Sequence, residues 1–563
     1  MDLATLLKNL CPRSSTPVVL ELDLSRGVLA TPADNPISAL KAMNTPTMHA
    51  IRDGLSRAAS HDRVKGLIVT LGAAPIAPAE ADELAQLIAE FGRHKPTVAF
   101  AASFGEFSSA VFGYRLASAA SAVWMQPSGT LSIGGLHLDI TLLKQTLAKL
   151  GIQAQFGKRH EYKTAADRFA ADEVSDANRE MMHRIGQSLM DSAVEAIAAS
   201  RGLGTHEVWD AVNSSPLTAQ QALDAGFVDR VGYRDQVYAA AHEQWGTEPS
   251  HQVFVHRYLD LWRIPESVLE SRRPAIAVVD VRGAIVYGRG RATPMSQSAG
   301  SDDVCDHIRA AERDEQVKAL VLRVDSPGGS YIASDAIRRA VVKFRESGRP
   351  VVAAMGNVAA SGGYFVSMAA NEVFAQPTTL TGSIGVLAGK MVLRGLYDKI
   401  GLKREAVDIG GRAGMSDAGR EFTQEEWDVL NAELDRIYAD FTAKAAADRG
   451  MSLEELEPLA RGRVWTGADA AERGLIDGLG GMDLAIQRAC ELAQLDRDEI
   501  RLRHIGVLGV LERLRPSRNS DSLSGAGIRI PATGEDWVAL AAEGLGVQTA
   551  GVLSLPLVPR VRG

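Results

Sequence analysis

Between Ala319 and Ala370 the chain alternates two hydrophobic patterns. Ala319–Val324 is a short apolar run rich in branched side chains, and Ala333–Ser347 spaces its apolar positions as a helix does. Pro350–Met355 is again a short apolar run, and Gly362–Ala370 again has helical spacing. Short runs separated by helices at these lengths predict βαβ units, hence an α/β fold with a mostly parallel sheet covered by helices. In such sheets the strands end in loops that lead into helices, and ligands bind there.

The pattern occurs twice. Val64-Lys65-Gly66-Leu67-Ile68-Val69 is matched by Val317-Lys318-Ala319-Leu320-Val321-Leu322, 253 positions on. Gly113-Tyr114 and Gln126-Pro127 are matched by Gly363-Tyr364 and Gln376-Pro377 at 250, Ile133-Gly134 by Ile384-Gly385 at 251, and Gly226-Phe227-Val228-Asp229 by Gly474-Leu475-Ile476-Asp477 at 248. Ordered matches with so little drift predict a tandem duplication. The first repeat occupies 1–250, with its matched part from Pro17 to Glu243. A linker follows at 251–273, the second repeat at 274–495 and a C-terminal extension at 496–563.

Composition narrows the function. With 563 residues, 46% hydrophobic and 23% charged, the chain has the make-up of a globular protein with a real core. Its 61 basic residues against 69 acidic ones give a net charge of −8, and no basic tract follows a phosphate backbone, so nucleic acid is not expected as a partner. Cys11, Cys305 and Cys490 lie far apart without metal-ligand spacing and read as inert thiols. Met1–Pro17 lacks the features of a cleavable signal, and no window of about 18 residues is free enough of charge to span a bilayer. Trp537–Val558 reads as a packed or interfacial segment and Arg515–Gly534 as a flexible loop. Val507–Leu514 reads either as packing against the second repeat or as an amphipathic surface anchor.

Two strand-end loops of the second repeat carry candidate chemistry. In Asp325-Ser326-Pro327-Gly328-Gly329-Ser330 the glycines can bring backbone N–H groups close to an anion. The motif lacks the Gly-Lys-Ser/Thr ending of a nucleotide loop, and its plainest alternative is a Pro-Gly turn. In Asn357–Tyr364, Ser361 stands where strand gives way to helix, which suits either a helix cap or an exposed nucleophile. As a nucleophile it would attack a carbonyl while the N–H of Gly362 and one from Gly328 or Gly329 hold the oxyanion.

A nucleophile needs a base. His307 lies in a charged helical stretch and His504 beyond the repeat, neither in a strand-end loop. Lysine serves if burial makes it neutral. Ile152–Ala165 reads as a strand leaving into a loop that carries Lys163; the equivalent position in the second repeat is Ala413 or Gly411, and no lysine occurs from Arg404 to Thr442. Conversely, Ser361 corresponds to Val111, and the Asp325–Gly329 loop to Gly72–Ile76. Each repeat lacks what the other keeps, as expected if residues of both build one site.

Asp325–Gly329, Ala360-Ser361-Gly362-Gly363-Tyr364, Thr381-Gly382-Ser383-Ile384-Gly385-Val386 and Tyr162-Lys163-Thr164 together resemble the bacterial signal peptide peptidase A, or protease IV, family in its long duplicated form. The resemblance spans Val18–Leu495. It implies the Clp protease and crotonase-like fold, and a serine endopeptidase with a Ser/Lys dyad that degrades cleaved signal peptides at the membrane. Ser361 would be the nucleophile, Lys163 the general base and Ser383 the hydroxyl that orients the amine. Gly362 and Gly328 or Gly329 would form the oxyanion hole, with no cofactor. It also implies a homotetramer. Because no spanning helix is visible, membrane contact is expected to be peripheral and the chain otherwise cytoplasmic. Two other readings compete: a crotonase-like enzyme of acyl-CoA, which needs no serine nucleophile, and a non-catalytic membrane scaffold.

Overall fold

The computed structural model describes residues 16–29, 45–106, 108–258, 273–290 and 297–506, with strand assignments at 553–554 and 561–562. Cys11, the Val507–Leu514 and Arg515–Gly534 segments and all of Trp537–Val558 except that strand lie outside the described residues. The chain divides into two compact units: Met1–His137 with Leu189–Arg272 and Val561–Gly563, and Leu138–Ser188 with Arg273–Arg560.

Unit one is built on a parallel sheet in which Gln252–Phe254, β1 (Val18–Asp23), β2 (Val64–Leu71), β3 (Thr97–Ala101), β4 (Ala122–Met125) and Arg230–Val231 lie side by side. Only Lys65 of β2 is exposed, as expected for strands covered on both faces. Helix α1 (Val111–Ala117) follows β3.

Unit two takes in β5 (Gln153–Lys158) and the first half of the long helix α2 (Asp176–Arg201). Its main sheet orders Arg501–Ile505, β6 (Ala275–Arg282), β7 (Val317–Ser326), β8 (Val351–Ala360), β9 (Glu372–Ala375) and Gly478–Leu479 in parallel. This is the order of unit one, strand for strand. Helix α3 (Gly362–Ser367) follows β8 as α1 follows β3, and α4 (Gln424–Arg449) has the same 26 residues as α2.

The duplication extends to side chains. Tyr114 of α1 donates its buried hydroxyl to the Phe227 carbonyl at 2.6 Å, and Tyr364 of α3 donates to that of Leu475 at 2.9 Å. Arg201 at the end of α2 grips both carboxylate oxygens of Asp229, each at 2.8 Å, and Arg449 grips Asp477 at the same distances. Each aspartate accepts from a strand N–H, Val123 in β4 or Val373 in β9.

Three details differ from the sequence reading. Gln252–Phe254, assigned to the linker, is an edge strand, and Arg501–Ile505 in the C-terminal extension is its counterpart. Both are short, border the sheet and mix polar with apolar residues, so they carry little periodic signal. Of the remaining linker, Val255–Tyr258 is helical, and 259–272 lies outside the described residues. Strands β7 and β8 also run longer than their apolar cores. Most of the two candidate loops is therefore strand: Ser326 pairs with Ala359 after a register shift, and Gly328–Gly329 pairs with Ala284–Val286. β8 changes partner along its length, from β9 at Val352–Ala354 to Leu380–Gly382 at Val358–Ala360. Leu380–Gly382 belongs to the same sheet, and Ser361 follows β8 directly after this second pairing.

Removing the hydroxyl of Tyr364 leaves the buried Leu475 carbonyl without its donor, a loss of about 1–3 kcal/mol. Tyr364→Phe should lower the thermal midpoint by a few degrees, and Tyr114→Phe should do the same through Phe227; differential scanning calorimetry reads both.

Candidate active site

Ser361 ends β8 and begins α3 with φ 55° and ψ −112°, a conformation that glycine adopts freely and other residues rarely. Such backbone strain costs about 1–3 kcal/mol and persists only where neighbours enforce it. Here the Ser361 N–H donates to the Gly382 carbonyl at 2.8 Å, and the Ser361 carbonyl accepts from Phe365 N–H at 2.9 Å. The result is a sharp strand-to-helix elbow that turns the serine hydroxyl away from the sheet.

Lys163 comes from the first repeat in sequence but belongs to unit two in space. Its segment is fastened by β5, which pairs antiparallel with Leu387–Val392 in the register Leu387↔Lys158 to Val392↔Gln153. Further along, Arg184 binds both oxygens of buried Asp469, and the Ser188 and Thr466 hydroxyls meet at 2.6 Å. Arg463 contacts Tyr162 at 3.1 Å and Glu180 at 2.7 Å. The lysine is therefore held on both sides.

Lys163, Ser361 and Ser383 are all fully buried. The Lys163 Nζ lies 2.9 Å from Ser361 Oγ, 3.0 Å from Ser383 Oγ and 3.1 Å from the Ser383 carbonyl oxygen. Burial pushes the lysine well below its ordinary range, and among the described residues no carboxylate counters it. A neutral amine has two N–H bonds and one lone pair. Ser383 offers two acceptors, the Ser361 O–H fills the lone pair, and the Ser383 hydroxyl donates onward to the Gly462 carbonyl at 3.3 Å. Donors and acceptors match without a charge.

Gly328 and Gly329 have φ of +100° and +154°. A Cβ on Gly362 would come within 3.1 Å of both Gly328 Cα and Gly329 N, so the glycine loop and the elbow are in close contact. The Gly328 N–H is engaged by Ser326 Oγ at 3.2 Å. Gly329, beside Gly362, is itself paired with Ile285 and Leu553. Ser326 is itself fixed by donating to the Gly283 carbonyl at 2.6 Å.

The structure thus brings together all six residues singled out in the sequence. His307 packs against Gly506 and has no part in the site. Sequence reasoning missed Gly462 and Gly385. A Cβ on Gly462 would fall 2.6 Å from Lys163 Cβ, and one on Gly385 would fall 3.3 Å from Lys163 Cδ. These two glycines make room for the lysine stem. Gly462 has φ +82°, and its N–H binds the Ile384 carbonyl at 2.7 Å. Ala460-Arg461-Gly462-Arg463 carries no motif of its own, and its role arises only where separate segments meet.

The model of Peptidase family S49 matches residues 90–248 and 343–496, more than half of the chain. The chain belongs to peptidase family S49. This S49 chain is 31% identical over 418 residues to the chloroplastic serine protease SPPA of Arabidopsis thaliana, a match covering 74% of this chain and 61% of that one. It is 33% identical over 390 residues to protease 4 of Salmonella typhi, covering 68% and 62%. With protease 4 of Haemophilus influenzae it shares 28% over 459 residues, covering 79% and 72%. The chain spans about six-tenths of the length of the first two of these curated relatives.

Gly462→Ala should displace the lysine stem, and a misplacement of about 1 Å at such a site costs on the order of 10²-fold in rate. Modification of Ser361 by a fluorophosphonate should slow by about that factor, while circular dichroism shows a folded chain.

Proposed function

We propose that this S49 chain is a serine endopeptidase with Ser361 as nucleophile and Lys163 as general base. The observation that carries the reading is the fully buried lysine in hydrogen-bond contact with a serine held in a strained elbow. In the first half-reaction Nζ takes the proton of Ser361 Oγ–H as Oγ bonds to the peptide carbonyl carbon. The N–H groups of Gly362 and Gly329 receive the oxyanion. The resulting ammonium gives its proton to the leaving amine as the C–N bond breaks, which leaves an ester on Ser361. Water then repeats the cycle with the lysine again as base, and the acid product departs. Ser383 is a positioning residue: its carbonyl and hydroxyl aim the lone pair at Ser361.

The substrate reading is an extended apolar peptide, cleaved signal peptides above all. Gly328–Gly329 presents a strand edge beside the elbow, and the two-residue strand Leu553–Ser554 lies against it antiparallel, as an extended peptide would. The resemblance extends this reading to a homotetramer that works at the membrane surface. Among the described residues no helix is long and apolar enough to cross a membrane, so contact with the bilayer is peripheral in this reading. An acyl-CoA enzyme would leave the dyad without a task, and a scaffold would have no use for a strained serine.

Ser361→Ala should lower turnover of an apolar fluorogenic peptide by about 10⁶-fold, and Lys163→Ala by about 10²–10⁴-fold, with folding retained. Near wild-type turnover by Lys163→Ala would overturn the dyad. The neutral fraction of a lysine grows with pH. Because burial lowers this lysine's pKa, kcat/KM should rise with pH and level off well below 10.5, the ordinary lysine value.

A further inference from the structure

Lys163 sits at the centre of a three-residue turn, closed by the Thr164 N–H donating to the Tyr162 carbonyl at 2.9 Å. The residues on either side therefore set the direction of its side chain. Thr164 is buried, and its hydroxyl donates to Asn178 Oδ1 at 3.4 Å. Tyr162 donates its hydroxyl to Glu180 Oε2 at 2.5 Å. Asn178 and Glu180 both lie near the start of α2, so one helix end anchors both shoulders of the lysine.

Arg463 closes this arrangement from a separate segment. One guanidinium nitrogen donates to Tyr162 Oη at 3.1 Å and another to Glu180 Oε1 at 2.7 Å. The planar fork also lies against two rings, its central carbon 4.7 Å from the centroid of Tyr162 and 4.5 Å from that of Trp465. The backbone of the same residue serves the other side of the site. The Arg463 carbonyl accepts the Ser383 N–H at 2.7 Å, next to the Gly462 carbonyl that accepts from Ser383 Oγ. One residue thus fixes the lysine turn with its side chain and Ser383 with its main chain. We propose that Arg463 is a positioning residue of the dyad, its fork locking Tyr162 to Glu180 so that Lys163 Nζ stays within reach of Ser361 and Ser383. This rests on the peptidase reading above.

The tandem repeat supports the assignment independently. Thr218 and Thr466, 248 positions apart, each cap the helix that follows. The same offset sets Ser214, Ser215 and Leu217 opposite Gly462, Arg463 and Trp465. The first copy, whose counterpart of Ser361 is Val111, therefore lacks the space for the lysine stem, the fork and its aromatic platform together. The ion pairs Arg201–Asp229 and Arg449–Asp477, which serve the fold, are kept in both copies. The Arg463 fork occurs only beside the base.

The chemistry of the latch suits a fixed part. The bond from Tyr162 holds the Glu180 carboxyl below its ordinary range, and the same bond holds the Tyr162 phenol above its own. Its protons therefore stay in place while the lysine exchanges one with the serine. A lysine at 463 would keep the charge but could not reach both partners with a rigid fork.

In the full-length chain, with active sites counted by fluorophosphonate labelling of Ser361, Arg463→Met should lower kcat for an apolar fluorogenic peptide by about 10–10²-fold at unchanged KM. Arg463→Lys should fall between that variant and the wild type. Tyr162→Phe, a milder change that leaves the ring in place, should also lower kcat. Because the two side chains act as one latch, Tyr162→Phe combined with Arg463→Met should be no slower than Arg463→Met alone. A wild-type kcat in Arg463→Met, a rise in KM alone, or two effects that multiply in the double variant would each overturn the proposal while leaving the peptidase reading intact. A wild type that neither labels nor turns over peptide would overturn the peptidase reading and the proposal with it.

Discussion

The proposed mechanism depends on keeping one lysine amine uncharged. An ammonium ion cut off from water costs several kcal/mol unless a counter-charge repays it. Among the described residues Lys163 has no such partner: its side-chain hydrogen bonds there go to two serine hydroxyls and a carbonyl. The protein therefore stabilises the neutral form, and the neutral form is the one with a lone pair to offer. A carboxylate at hydrogen-bond distance would raise the pKa and disable the proposed base. The uncharged polarity of the pocket is as much a requirement as the lysine itself.

Such a pocket needs walls from several parts of the chain. The lysine segment reaches it through β5, the serine through the end of β8, and the lid over the lysine stem through Gly462 and Gly385. The strain at Ser361 can be borne because β8 is fixed on both flanks, by β7 and β9 early and by Leu380–Gly382 late. Duplication supplied the geometry. A segment that follows a repeat and adds to its neighbour can carry a base to a nucleophile that neither repeat holds together with it.

Much of this was legible in the sequence, for physical reasons that can be named. The parallel sheet announced itself through short branched runs separated by helical spacing, and the duplication through ordered matches. Ser361 and Lys163 stood out because each is absent from the other repeat's equivalent position. Ser383, by contrast, rested on the resemblance, and only the distances show how it contacts the amine. The sequence left Gly328 and Gly329 as alternatives, and the bond from Gly328 N–H to Ser326 Oγ favours Gly329 in the proposed mechanism. Edge strands 252–254 and 501–505 were missed because a half-exposed strand of three to five residues looks like a linker. Gly462 was missed because its importance is a close approach between residues some 300 positions apart, which no local pattern encodes.

The central claim is that Lys163 is neutral in the folded protein at physiological pH. Titration of its side-chain nitrogen by NMR, in a ¹⁵N-lysine-labelled sample assigned by comparison with Lys163→Met, measures this directly. The account predicts a midpoint well below that of the exposed lysines of the same chain; a Lys163 that titrates with them, near 10.5, would contradict it.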